Sequence, residues 1–140
     1  MLTEIKRTGS EKGIFMGRPR IYIVDDDKAC CTSIKEFLIS AGYPSESFSS
    51  ARSFLDSVPN DSKGFLLLDL HMPEMDGFAL QERLNELRSP LRIIFISGDN
   101  DSKDRMRATQ KGAVGFLQKP FDVEEFLDLI NETAEKDQTG

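Results

Sequence analysis

Four short apolar runs constrain the fold of this chain more than any other feature: "IYIV" at 21–24, "FLLL" at 65–68, "IIFI" at 93–96 and "VGFL" at 114–117. Unbroken apolarity, in place of alternation, is what a strand buried on both faces requires. It marks a parallel sheet held between layers of helix. A weaker run, "SESFS" at 45–49, reads as an edge strand.

Between these runs the period becomes helical. Cys30, Ile34, Phe37, Leu38 and Ala41 form one stripe, ending at Gly42. Ala51, Phe54, Leu55 and Val58 form a second, Gly77, Leu80, Leu84 and Leu87 a third, and Val123, Phe126, Leu127, Ile130 and Ala134 the clearest. The segment 101–112 has only Met106 and Ala108 as apolar anchors, so its helix is expected to be the most weakly held. Strand and helix alternate five times, the pattern of a doubly wound α/β domain with helices on both faces.

A chain of 140 residues suffices for one domain with its own core. A net charge of -6 argues against broad binding to nucleic-acid phosphates or anionic lipid. The two cysteines, Cys30 and Cys31, are adjacent and match neither a disulfide framework nor a zinc site. The early run Ile14-Phe15-Met16 is too short for a signal peptide or a membrane span, and a cytoplasmic location is expected. Residues 1–19 read as a flexible extension, 20–134 as the domain and 135–140 as a polar tail, with no effector expected after the last helix.

In an open parallel sheet the ligand site lies beyond the carboxyl ends of the strands. The first strand run is followed by Asp25-Asp26-Asp27, the second by Asp69, the third by Ser97-Gly98 and the last by Gln118-Lys119-Pro120. Each residue alone has an ordinary explanation as a helix cap, a turn residue or a solvated side chain. Their convergence on one edge does not. Carboxylates at about 4 Å repel by about 1 kcal/mol per pair in water and more where solvent is excluded. A hard divalent cation such as Mg2+, together with Lys119, offsets that repulsion. A pocket of this kind, with Asp69 as nucleophile, suits phosphoryl transfer.

The motifs "VDDD", "LLLDLHMPEMDG", "FISG" and "GFLQKPF", in this order, resemble the receiver domain of bacterial two-component response regulators, over roughly residues 20 to 134. The resemblance implies a flavodoxin-like sheet of order 2-1-3-4-5, with Asp69 as phosphoryl acceptor from a sensor histidine kinase. It further implies that Mg2+ is held by Asp25, Asp26, Asp69 and the backbone carbonyl of His71. Ser97 corresponds to the switch hydroxyl, and Lys119 to the lysine that pairs with the phosphoryl group and precedes a cis bond to Pro120. Phe116 corresponds to the aromatic switch on the face made by the fourth helix, fifth strand and fifth helix. That face is then the expected contact for an effector domain or for self-association. His71 and Asp99 fall at positions that tune dephosphorylation, and Gly98 leaves room for the donor.

Three rivals are weaker. An aspartate-nucleophile phosphatase of haloacid dehalogenase type accounts for Asp25-x-Asp27, Ser97 and Lys119, but its acidic pair belongs after the lysine, whereas "GDNDSKD" precedes it. A calcium loop at Asp99 to Asp104 has Lys103 where a ligand is required and Asp104 where glycine is required. A receiver-like fold without chemistry conflicts with the complete set of acids, Ser97 and Lys119.

Overall fold

The computed structural model describes residues 18–99 and 101–139, with side chains described through residue 135. The expected extension therefore lies largely outside the described residues. Five strands and five helices alternate as β1 (Ile21–Val24), α1 (Lys28–Ser40), β2 (Ser45–Phe48), α2 (Ala51–Ser57), β3 (Phe65–Asp69), α3 (Gly77–Glu86), β4 (Arg92–Ser97), α4 (Ser102–Gln110), β5 (Gly115–Gln118) and α5 (Val123–Thr139). The strands form one parallel sheet of order β2-β1-β3-β4-β5.

Alternate strand residues feed two cores, as the period of a strand demands. Tyr22, Val24, Leu66, Leu68, Ile93, Phe95 and Phe116 point to the face covered by α2, α3 and α4. Ile21, Ile23, Phe65, Leu67, Ile94, Ile96 and Leu117 point to the face covered by α1 and α5. Both faces of the central strands are thus apolar, which explains why the sequence runs are continuous.

Polar side chains cap four of the helices. Asp27 accepts from Cys30 N, Ser50 from Ser53 N, Asp76 from Ala79 N and Asp101 from Lys103 N. Each satisfies a backbone donor that the first helical turn leaves unpaired. Asp101 does this work in the segment weighed as a calcium loop.

The helical stripes differ from expectation in three places. On α1 the buried residues are Cys31, Ile34 and Leu38, while Phe37 is 44% exposed. On α4 Met106 is 62% exposed, leaving Ala108 as the only buried residue of that helix. α5 continues through Thr139, into the segment read as a polar tail. Among the described residues no helix is long and apolar enough to cross a membrane.

Candidate functional site

Register places the polar residues side by side. Val24 pairs with Leu68, Asp69 with Ile96, and Ser97 with Gln118. Asp25, Asp69, Ser97 and Lys119 therefore emerge at one edge, although 94 residues separate the first from the last. The backbone closes the row, because Lys119 N donates to Ser97 O at 2.7 Å.

Asp25 is fully buried and held at every polar atom of its carboxylate. Oδ1 accepts from Asp27 N at 2.9 Å, and Oδ2 accepts from Lys119 Nζ at 2.8 Å. The Cys31 thiol donates to the Asp25 carbonyl at 3.2 Å. Burial pushes the Cys31 thiol up to about 12 and the Cys30 thiol up to about 11, with the Asp25 charge adding to both. Neither cysteine is a ready nucleophile.

Asp69 is buried, with 5% of its surface exposed. Its Oδ1 accepts from His71 N at 3.3 Å, and its Oδ2 lies 3.8 Å from Lys119 Nζ. Burial, then the charge and hydrogen bonding of Asp25, push its carboxyl up to about 7, against the opposing pull of Lys119 and the His71 amide. Burial lowers the Lys119 ammonium, but hydrogen bonding and charge from Asp25, then the charge of Asp69, raise it on balance. One ammonium among these carboxylates is too little positive charge.

Asp26 stands exposed at the rim and completes a trio. One ligand oxygen each from Asp25, Asp26 and Asp69 lies within 4.8 Å of the others, the sole such group among the described residues. The donor set is all oxygen and strongly anionic, and burial and the neighbouring Asp25 raise its central carboxyl. These residues fit a hard divalent ion.

Around this centre, Ser97 is fully buried and its Oγ accepts from Asp99 N at 3.1 Å. His71 Nε2 and Asp99 Oδ2 approach to 3.5 Å across the mouth. A Cβ added at Gly98 would meet nothing within 4 Å, so the approach beside Ser97 is open. The Lys119–Pro120 bond is cis. The Phe116 ring lies in the core, 6.3 Å from Phe95 by centroid, with the Arg105 guanidinium 5.1 Å from its own centroid.

Two positions escaped the sequence reading. Gly77 had been placed on a helical stripe, but a Cβ there would lie 2.6 Å from Asp69 O and 2.9 Å from both Leu70 Cα and Phe95 Cε1. The helix start packs directly onto the backbone of Asp69, and the Asp-Gly pair at 76–77 was the available signal. Gln81 is buried on α3 and left no signal in the apolar pattern.

Fold and site together define a doubly wound α/β domain with an acidic pocket at the carboxyl edge of its sheet. Residues 21–131 match the response regulator receiver domain family. The chain is 44% identical over 110 residues to the response regulator protein TodT of Pseudomonas putida, covering 79% of this chain and 48% of that protein. It is 37% identical over 110 residues to the transcriptional regulatory protein FixJ of Bradyrhizobium diazoefficiens, covering 79% and 54%. Among solved structures, a CheY-like receiver domain protein from Methanospirillum hungatei superposes with TM-score 0.78 at 30% identity, covering 87% of this chain and 98% of that one. The response regulator StyR superposes with TM-score 0.77 at 36% identity, covering 86% and 63%. The chain belongs to the receiver domains of two-component response regulators. It spans about half the length of the curated relatives it matches. The phosphatase alternative is not favoured.

Proposed function

We propose that this domain takes a phosphoryl group from the phosphohistidine of a sensor histidine kinase onto Asp69 and thereby switches its α4-β5-α5 face. An Asp69 oxygen attacks phosphorus, the P–N bond breaks and the imidazole leaves with a proton. The observation that carries the reading is Asp69 itself: a buried carboxyl raised to about 7, within 3.8 Å of an ammonium and inside the trio of acids.

Asp25, Asp26, Asp69 and the His71 carbonyl are the groups that would hold Mg2+. When bound, the ion neutralises the carboxylates and the charge that develops on the phosphoryl oxygens. Lys119 supplies a fixed charge on the same side. The Ser97 hydroxyl turns from the Asp99 amide toward the phosphoryl group, and Phe116 takes up the space it leaves. The open side at Gly98 admits the donor.

The receiver, residues 20–134, catalyses only its own phosphorylation and dephosphorylation and acts in the cytoplasm as one step of a phosphorelay. Its output is an effector domain or self-association, reached through α4-β5-α5. Intact-mass measurement after incubation with acetyl phosphate and Mg2+ tests the reading. One phosphoryl adduct on the wild type and none on Asp69→Asn is expected. Equal adducts on both, or no wild-type adduct together with no beryllofluoride response by NMR, would overturn it.

A further inference from the structure

α4 buries one residue, Ala108, so apolar packing does little to fix the helix. Two side-chain hydrogen bonds from α3 meet its carboxyl end. Gln81 Nε2 donates to Ala108 O at 3.1 Å, and Asn85 Nδ2 donates to Lys111 O at 3.0 Å. These donors sit at i and i+4 on α3, one turn apart on a single face. Each meets a carbonyl at the carboxyl end of α4, Ala108 in its last turn and Lys111 at the cap, where helices leave acceptors without intrahelical partners. The Arg107 guanidinium adds a third tie to α3, 4.1 Å from the centroid of the Phe78 ring.

The other end is attached differently. Its first turn has the Asp101 cap, and Arg105 N bonds back to Asp101 O at 3.1 Å. Arg105 stacks on Phe116 of β5, and Met106 faces solvent. This end follows directly on the 97–99 turn, where the Ser97 oxygen binds the Asp99 amide.

We infer that α4 is a lever hinged at its carboxyl end. Gln81 and Asn85 pin residues 108–111, while the first turns swing with the Ser97 loop and Arg105 travels with Phe116. The inference rests on the proposed phosphorylation of Asp69 for what drives the swing. The hinge stands on the α3 contacts alone. A buried amide donor suits this role because its bond to Ala108 O, which also accepts from Ala113 N at 3.0 Å, is shielded from water and ties α3 to the turn that ends α4.

Hydrogen exchange on the full chain tests the hinge without any phosphoryl chemistry. Gln81→Met and Asn85→Ala are each expected to speed exchange at the amides of Lys111, Gly112 and Ala113 about tenfold, equivalent to about 1.4 kcal/mol. Amides of β3 and β4 should be unaffected. With Mg2+ and beryllofluoride, the wild type should change at Arg105 and Met106 but not at residues 111–113. In the two variants the change should spread to residues 111–113. Unchanged exchange there in a folded Asn85→Ala overturns the hinge, as does a wild-type beryllofluoride response as large at residues 111–113 as at 105–106. Should Gln81→Met fail to fold, Asn85→Ala on its exposed side chain decides alone. No beryllofluoride response at any amide counts against Asp69 as acceptor, and the variants still decide the hinge.

Discussion

Lys119 Nζ lies 2.8 Å from Asp25 Oδ2 and 3.8 Å from Asp69 Oδ2, so its charge is committed first to the carboxylate that is not the proposed nucleophile. Asp25 is fully buried and accepts from Lys119 and the Asp27 amide. Removing the ammonium strands a buried anion. Lys119→Ala is expected to lower stability by roughly 2–3 kcal/mol in EDTA, less than for a fully buried pair because the ammonium is partly in water. Mg2+ should restore part of the loss. Urea unfolding at neutral pH with and without Mg2+ measures it, and an unchanged midpoint in EDTA would contradict the assignment.

The second expectation follows from Asp69, whose carboxyl is pushed from 3.8 to about 7 by burial and the Asp25 charge. Because the folded protein holds this proton more tightly than the unfolded chain, the contribution to stability is fully present below about pH 3.8 and is lost as pH rises through 7. Metal-free wild type should therefore lose stability on the order of 2 kcal/mol between pH 5 and pH 8 through this group. Asp69→Asn should flatten that slope, and Mg2+ should stabilise the wild type most at the alkaline end. Urea midpoints across the range, compared between the two proteins, decide it.

Gly77→Ala offers a third test. The added methyl would lie 2.6 Å from Asp69 O and 2.9 Å from Leu70 Cα, backbone atoms that cannot rotate away. Overpacking of this kind typically costs about 1–3 kcal/mol, with little offset from helix propensity because Gly77 is the first residue of α3. The variant should be destabilised within that range, and the shift should move the Asp69 backbone, so acetyl phosphate should label it more slowly than the wild type. Wild-type labelling rates would show that the close approach has no bearing on the nucleophile.

Sheet and pocket were legible in the sequence because both depend on strand order alone. Strands buried on two faces must be continuously apolar, and a parallel register delivers whatever follows them to one edge. Asp25, Asp69, Ser97 and Lys119 could be read that way. Helix faces were less legible, since a small error in phase rotates the stripe. Cys31 faces inward where Cys30 was expected, and Phe37 and Met106 face out. Gln81 was illegible for a different reason. Its justification is the Ala108 carbonyl 27 residues away, and no local pattern announces a buried amide whose partner is backbone. The preference of Lys119 for Asp25 over Asp69 is likewise a matter of about 1 Å, beyond any spacing rule.

His71 and Asp99 furnish the last test. Their side chains meet at 3.5 Å at the mouth of the pocket, both largely exposed, so the contact adds little to stability. Its position matters more, because His71 N bonds Asp69 Oδ1 and Asp99 N bonds Ser97 Oγ, which sets the pair beside the proposed acceptor. His71→Ala and Asp99→Ala should each shorten the lifetime of the phosphorylated form, roughly threefold, or about 0.7 kcal/mol of barrier. If the two act as one gate, the double variant should decay no faster than either single one. Decay of the phosphoryl adduct after removal of acetyl phosphate gives the rates. Unchanged lifetimes would return His71 and Asp99 to the role of ordinary turn residues, whereas multiplied effects would assign each its own separate action on the attacking water.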